Sequence, residues 1–172
     1  MMNTDTTAPT KLTSPVIFKD RLHQAMANVR RGQNSIALIH ISLSGLQAIN
    51  DTVDDKQNNK VLTDLEDSIC DLIRETDSIS PLNGDEFIVL LTDLSHQDGC
   101  ELTLWRILAG ATTSIDLNNE QANITASIGV SVFGNQGTET DTELLQQAKS
   151  AMEDAKNSDH NCFRFFDGRH IG

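Results

Sequence analysis

Apolar residues recur along the chain with a helical period in some segments and a strand period in others. Spacings of three and four residues predict helices over 18–30, 61–74, 102–115 and 144–155, and a brief helical segment over 45–50. Short apolar or alternating runs predict strands over 35–43, 78–82, 87–91, 124–132 and 162–166. Between these elements, the polar run from Asp51 to Lys60 shows no period.

The dipeptide Asn83-Gly84 lies between two predicted strands, which is the pattern of a tight β-hairpin turn. Pro81 weakens the strand before the turn, because proline cannot donate a ladder hydrogen bond. The hairpin interrupts an alternation of strands and helices, so the element order is α-β-α-α-β-β-α-β-α-β. This order predicts an α/β fold, an α+β sandwich of the ferredoxin-like or palm type, with helices flanking a central sheet that contains antiparallel strands.

One domain is expected, because 172 residues with 38% hydrophobic content can bury a single core. Residues 1–15 are polar and contain proline, so we expect a flexible lead-in there. The domain itself is expected over 16–168, followed by a short tail over 169–172.

The chain carries 13 Lys and Arg against 25 Asp and Glu, which gives a formal net charge of -12. A field of this sign repels phosphate backbones and anionic lipids. We therefore expect neither a nucleic acid polymer as partner nor contact of this domain with a membrane. A single nucleotide can still bind where backbone N–H groups, a lysine and bound cations form a local pocket.

The cysteines Cys70, Cys100 and Cys162 are odd in number and widely spaced. This pattern predicts free thiols in a reducing compartment. No run approaches the roughly 18 apolar residues of a membrane span, and the N-terminus lacks the basic-then-apolar order of a signal peptide. A cytoplasmic location is therefore expected.

Five short motifs, in a fixed order, resemble one known family. The segments at 49–52, 125–130, 148–156 and 165–167 are similar to its I-N-D-T, T-A-S-I-G-[IV], A-D-x-A-M-Y-x-A-K and closing-strand motifs. The fifth motif is similar to the GGDEF signature and reads Asn83, Gly84, Asp85, Glu86, Phe87. Together the motifs cover about residues 18–167, and the chain resembles the GGDEF domains of bacterial cyclic di-GMP signalling.

Members of that family are diguanylate cyclases, which join two GTP molecules into cyclic di-GMP, or their non-catalytic relatives. The resemblance implies two cations, Mg²⁺ or Mn²⁺, held chiefly by two carboxylates. It assigns Asp85 and Glu86 to catalysis and Asp85 to the metal. The other metal carboxylate of the family falls on Ser42, eight residues before Asn50. Because a neutral hydroxyl cannot replace that carboxylate, the resemblance predicts weak or absent metal binding and lost catalysis.

The resemblance also implies nucleotide contacts. Asn50 matches an asparagine that hydrogen-bonds guanine, and Lys156 matches a lysine that contacts the terminal phosphates. Asn59 stands where the family has an aspartate that accepts both guanine N–H groups, and its amide offers a single acceptor oxygen. His160 stands where the family has an arginine. These differences predict reduced specificity for guanine.

A second ligand site is implied by Arg74 and Asp77, which form an R-x-x-D motif five residues before the signature. Many family members bind cyclic di-GMP there as an inhibitor. Arginine suits the acceptor edge of guanine, and aspartate suits its donor edge. Pro81 stands where a supporting arginine is common. Without the resemblance, Arg74 would be interpreted as a helix end whose charge complements the helix dipole.

The resulting hypothesis is a degenerate GGDEF domain that regulates, senses nucleotide or dimerises instead of catalysing. Its expected partners are GTP or cyclic di-GMP, a second copy, and sensor or EAL phosphodiesterase domains of the same protein. Mg²⁺ or Mn²⁺ is expected only with bound nucleotide. Two alternatives stay open, a slow but active diguanylate cyclase and a purely structural domain that binds no nucleotide. His40, inside the first strand, is interpreted as a packed core residue.

Overall fold

The computed structural model describes residues 11–44, 55–82, 85–95, 97–113, 125–158 and 162–166. Its elements follow the predicted order, except that the helical segment expected over 45–50 lies outside the described residues. The elements are α1 (Pro15–Arg30), β1 (Ser35–Ser44), α2 (Asp55–Leu72), β2 (Ser78–Pro81), β3 (Glu86–Leu94), α3 (Gln97–Thr113), β4 (Thr125–Phe133), α4 (Asp141–Ser158) and β5 (Cys162–Phe165).

The described strands form one five-stranded sheet in the order β2-β3-β1-β4-β5. β2 and β3 pair antiparallel, as the Asn-Gly dipeptide predicts. β1 pairs antiparallel with both β3 and β4, whereas β5 runs parallel to β4. The predicted α+β sandwich is therefore confirmed, with β1 at the centre of the sheet.

β1 is buried on both sides because its side chains alternate between two cores. Ile39 and Ile41 belong to the core that also contains residues of α2 and α3. Ile36 and Leu38 belong to the core that contains residues of α1 and α4. We call the two sides of the sheet the α2/α3 face and the α1/α4 face. Toward the end of β1, polar residues replace apolar ones on the α1/α4 face, and the candidate site lies there.

Gly129 of β4 allows α4 to lie directly on the sheet. A Cβ atom at this position would lie 2.1 Å from the Ala148 carbonyl oxygen and 2.1 Å from the Met152 backbone nitrogen. Both atoms belong to the helix backbone, which a rotamer change cannot move away. The close approach of α4 to β4 therefore requires glycine at this position.

Helix starts are set by capping residues rather than by the first apolar residue. Ser14 caps α1, where its side chain accepts a hydrogen bond from the Ile17 N–H at 3.3 Å. Thr140 and Glu143 form a reciprocal capping box before α4, with distances of 3.0 and 3.1 Å. These helices therefore begin three residues before the predicted starts at 18 and 144.

α2 also begins earlier than predicted, at Asp55 instead of residue 61. Part of the polar run that shows no period is thus helical, because Lys and Gln are good helix formers even without an apolar stripe. Among the helices in the described ranges, none has the length and apolar content needed to cross a membrane.

Residues 11–14, which were expected to belong to a flexible lead-in, are paired with β2. The Thr13 N–H donates to the Ile79 carbonyl, and the Ile79 N–H donates to the Lys11 carbonyl, both at 2.8 Å. β2 lies at the edge of the sheet, so its outer backbone groups are available for such pairing. The last residues of the expected lead-in are therefore hydrogen-bonded to the sheet, whereas residues 1–10 lie outside the described residues.

Candidate functional site

Four polar side chains form a cluster on the α1/α4 face, near the end of β1. Ser42 of β1 is the cross-strand partner of Glu86 on β3 and of Ser127 on β4. His40 lies two residues earlier on the same strand, so it shares that face. His40, Ser42 and Ser127 are buried, and Glu86 is half-buried. We call these four residues the polar cluster.

Lys156 lies in the last turn of α4 and reaches the polar cluster. Its Nζ donates to Ser42 Oγ at 3.5 Å, the outer limit of a hydrogen bond. The resemblance assigned Lys156 to phosphate binding and Ser42 to the position of a metal ligand. The structure brings the two together, so an ammonium group lies beside the hydroxyl that stands in place of the metal carboxylate.

His40 and Glu86 form a close pair in the same cluster. His40 Nε2 lies 2.7 Å from Glu86 Oε1. An ionised carboxylate only accepts hydrogen bonds, so Nε2 is the donor. The interpretation of His40 as a packed core residue is right about its burial but missed this partner. Ile88, not Glu86, is the direct cross-strand neighbour of His40, so the pair became visible only with the register of β1 against β3.

Asp85 precedes β3 and is tied to β1 through its backbone. Its carbonyl accepts a hydrogen bond from the Leu43 N–H at 3.0 Å, and its side chain is half-buried. Two divalent cations would need several hard oxygen ligands, chiefly carboxylates. Within the described ranges, no group of three or more His, Cys, Asp or Glu could hold a metal ion. With a neutral Ser42 and an ammonium beside it, this donor set does not fit a pair of divalent cations.

Asp77 lies between α2 and β2 and is buried, with 2% of its surface exposed. Its carboxylate accepts hydrogen bonds from the Arg74 N–H at 2.8 Å and the Thr92 N–H at 2.9 Å. The Thr92 hydroxyl is a further donor, and Arg74 Nε lies 3.5 Å from Asp77 Oδ2. The carboxylate assigned to guanine is thus already occupied by donors of the protein.

Arg74 faces a groove of about 540 Å³ between α2, β3 and α3. Its guanidinium is half exposed and also donates to the Thr92 carbonyl. Arg106 of α3 lines the same groove. Nothing along the sequence indicates that α3 lies opposite Arg74, so Arg106 could not be predicted as part of this groove.

Several predicted positions cannot be placed in the site. Asn50, Asn83, Gly84 and His160 lie outside the described residues. Asn59 lies in α2, where the structure describes its backbone only. Phe87, from the signature, is a fully buried core residue on the α2/α3 face. Of the predicted site residues, the structure therefore groups Ser42, Glu86 and Lys156 at one place and Arg74 with Asp77 at another.

The family described as "Diguanylate cyclase, GGDEF domain" matches residues 4–162. The chain belongs to this family. The match covers most of the 172 residues, and it includes both the polar cluster and the groove beside Arg74. The GGDEF resemblance drawn from the motifs is thus confirmed.

Relatives of this GGDEF domain include cyclases and bifunctional proteins. The chain is 28% identical over 158 residues to the bifunctional diguanylate cyclase/cyclic di-GMP phosphodiesterase MucR of Pseudomonas aeruginosa, covering 92% of the chain and 23% of MucR. It is 29% identical over 149 residues to the diguanylate cyclase DgcS of Shewanella oneidensis, covering 86% of the chain and 48% of DgcS. The chain thus spans less than half the length of these curated relatives.

The fold is similar to that of solved GGDEF domains. The crystal structure of the GGDEF domain of TpbB, also called YfiN, from Pseudomonas aeruginosa superposes with a TM-score of 0.81 at 26% identity. The superposition covers 90% of this chain and 96% of the TpbB domain. The five-stranded sheet with flanking helices is therefore the fold of a GGDEF domain.

Proposed function

We propose that this GGDEF domain is a regulatory module of cyclic di-GMP signalling that binds nucleotide without joining two GTP molecules. The observation that carries the proposal is Ser42, a buried hydroxyl beside the Lys156 ammonium, in the position where the family has a metal carboxylate. The module responds to a nucleotide through its conformation or its contacts with other domains.

Charge arguments support the loss of catalysis. Nucleotidyl transfer needs divalent cations that neutralise the developing negative charge on the phosphate. A cation at Ser42 would face a neutral oxygen and, nearby, an ammonium of like charge. Two like unit charges about 4 Å apart near a protein surface repel by about 4 kcal/mol. A single remaining carboxylate at Asp85 does not offset that cost together with the dehydration of a second ion.

The pairing of Glu86 supports the same conclusion. Glu86 is the signature glutamate, and its Oε1 already accepts a hydrogen bond from buried His40. A carboxylate held in this way is less available to a metal, a substrate hydroxyl or a proton in transfer.

A binding role is supported by the groove beside Arg74. Arg74 and Arg106 place two guanidinium groups on one cavity whose volume is in the range of small-ligand sites. Guanidinium groups bind phosphates and the acceptor edge of guanine, which are both present in cyclic di-GMP. We assign Asp77 the role of holding Arg74 in place, because its carboxylate is buried and saturated with donors.

The proposal includes partners beyond nucleotide. MucR is named as bifunctional, and the chain covers 23% of it, so we propose sensor or EAL phosphodiesterase domains in the same protein as partners, together with a second copy of this domain. Any Mg²⁺ or Mn²⁺ would enter only together with a bound nucleotide and would not be held by the domain alone. A cytoplasmic location is part of the proposal.

Calorimetric titration with cyclic di-GMP tests the binding role. We expect Arg74→Ala and Arg106→Ala to weaken binding by at least about tenfold, since each removes a charge-assisted contact. Arg31→Ala is the matched control, because Arg31 is an exposed arginine at the end of α1, away from the groove. Absence of binding by the unmodified domain would favour the purely structural alternative.

Incubation with GTP and Mn²⁺, followed by chromatography of the products, tests the loss of catalysis. We expect no cyclic di-GMP above the level of a protein-free control. Sustained product formation would overturn the proposal and favour the slow cyclase, which would then rely on Asp85 and Glu86.

A further inference from the structure

The polar cluster and Lys156 suggest how a nucleotide could bind without metal. We propose that this site takes the phosphate groups of a nucleoside triphosphate without any divalent cation, and that Lys156 supplies the positive charge. The inference deepens the proposed function and rests on it. It begins from the disagreement between the pair of cations that the family implies and the donors that this chain presents.

The need for metal is reduced first by the charges of the cluster. In a site with two carboxylates, divalent cations are required partly because carboxylates repel phosphate. Here one of those positions is the neutral Ser42, and Glu86 accepts a hydrogen bond from His40 at 2.7 Å. The negative charge that a cation would have to offset is therefore smaller by one carboxylate, and one oxygen of Glu86 is already hydrogen-bonded.

Lys156 is placed to supply a cation instead. Its Nζ lies 3.5 Å from Ser42 Oγ, and the rest of its side chain is exposed on the last turn of α4. An ammonium group has three N–H donors, so contact with Ser42 leaves donors for a phosphate oxygen. Ser42 thus orients the ammonium without neutralising it, whereas a carboxylate at that position would compete with phosphate for the same charge.

Ser127 provides a second, independent observation at the same place. Its Oγ is fully buried and has no hydrogen-bond partner within the described residues. Ser127 is the direct cross-strand neighbour of Ser42 on β4. A buried hydroxyl without a partner costs about 1–3 kcal/mol. That cost is removed if Lys156 or its ligand shifts toward Ser127 on binding.

The overall charge of -12 opposes an anion but does not decide the outcome. At physiological salt, exposed charges farther away than about 8 Å are largely screened. An ammonium in contact with phosphate acts at hydrogen-bond distance, where screening is weak. The local charge of Lys156 therefore outweighs the distributed acidic surface.

Titration calorimetry with GTP, in excess EDTA and separately in excess Mg²⁺, tests the inference. We expect the two dissociation constants of the unmodified domain to agree within about twofold, because no protein carboxylate has to be bridged to phosphate. Inorganic tripolyphosphate in EDTA should compete with GTP, since the proposed contacts are to phosphate. A requirement for Mg²⁺, or no GTP binding in EDTA, would overturn the inference.

Two pairs of variants locate the effect. Lys156→Met should weaken GTP binding in EDTA by at least about tenfold, the loss expected for a charge-assisted hydrogen bond. Lys149→Met, an exposed lysine on the same helix, should leave it unchanged. Ser42→Asp should weaken binding in EDTA by at least about tenfold and recover it with Mg²⁺, because the new carboxylate pairs with Lys156. Ser42→Ala removes the oxygen that orients the ammonium but adds no competing charge, so it should weaken binding in EDTA by less than Ser42→Asp does, and added Mg²⁺ should not change its affinity.

Thermal melting by circular dichroism verifies that each variant is folded. If Ser42→Asp does not fold, the comparison of Lys156→Met with Lys149→Met and the comparison of EDTA with Mg²⁺ still test the inference. Lys156→Met that binds like the unmodified domain would overturn it. Cyclic di-GMP binding through Arg74 without GTP binding would defeat this inference alone. GTP binding in EDTA combined with turnover in Mn²⁺ would defeat only the proposed loss of catalysis.

Discussion

Asp77 shows how one buried carboxylate can join two elements. Its oxygens accept hydrogen bonds from the backbone N–H groups of Arg74, after α2, and Thr92, in β3. The same carboxylate pairs with the Arg74 guanidinium. The motif that the family resemblance assigned to ligand binding thus has a structural role in the protein itself, and any binding role of Arg74 depends on it.

Asp77→Asn is expected to lower the free energy of unfolding by about 1–3 kcal/mol, because an amide N–H would face backbone donors and leave a buried group unsatisfied. Urea denaturation measures the change. Asp20→Asn, at an exposed position on α1, is the control and should change stability by less than about 0.5 kcal/mol. Equal stability of the two variants would contradict the role assigned to Asp77.

At the scale of elements, the backbone of α4 lies directly against the backbone of β4. Gly129 leaves room for the Ala148 carbonyl and the Met152 backbone nitrogen, while the capping box of Thr140 and Glu143 fixes the start of the helix. Lys156 stands at the other end of α4. Its position over the polar cluster therefore depends on how closely the helix approaches β4.

Gly129→Ala should cost at least about 3 kcal/mol of stability, since the added methyl group meets helix backbone that no rotamer change can relieve. Urea denaturation again provides the measurement. Gly110→Ala, near the end of α3, is the matched control: apart from its chain neighbours and the backbone of its own helix, no heavy atom lies within 4 Å of the added Cβ. That variant should be as stable as the unmodified domain or up to about 1 kcal/mol more stable. A Gly129→Ala variant of normal stability would show that the contact between β4 and α4 is looser than described.

At the scale of the whole molecule, the sheet separates two hydrophobic cores on opposite sides of β1. Cys100 lies in the core of the α2/α3 face and is fully buried. Burial raises the pKa of the Cys100 thiol to about 12, with a smaller contribution from the Glu101 carboxylate. Since the thiolate is the reactive form, Cys100 reports whether α3 has left the sheet.

Iodoacetamide labelling followed by mass spectrometry should modify Cys70 and Cys162, which are both half-buried, before Cys100 in the native domain. Urea at unfolding concentrations should remove the differences in rate. Labelling of native Cys100 at the rate of Cys162 would show that the α2/α3 core opens far below the global unfolding free energy.

The sequence predicts the elements well because each has a recognisable pattern of apolar residues. β1 is apolar on both faces, and the Asn-Gly dipeptide marks the hairpin. The predicted helix starts were three residues or more too late. Ser14 and Thr140 set where their helices begin through side-chain hydrogen bonds, which the spacing of apolar residues does not show. The N-terminal residues 11–14 were missed for a similar reason, since backbone pairing with an edge strand needs no apolar side chains.

The candidate site was predictable only in part. Ser42 was identified by its spacing from a motif, which survives in a linear sequence. The pairs His40–Glu86 and Lys156–Ser42 join residues 46 and 114 positions apart, so they depend on strand register and on how α4 docks. Arg106 could not be linked to Arg74 for the same reason.

Seating α4 directly on the backbone of β4 restricts rotation of the helix about its own axis. A helix that packs on side chains can rotate slightly when those side chains change rotamer. A helix that contacts strand backbone cannot rotate in this way, because the backbone atoms do not move aside. The direction in which Lys156 projects from α4 therefore depends on Gly129, a glycine on β4. Substitutions in the sheet that displace α4 would thus alter the proposed phosphate contact of Lys156 without touching the ligand.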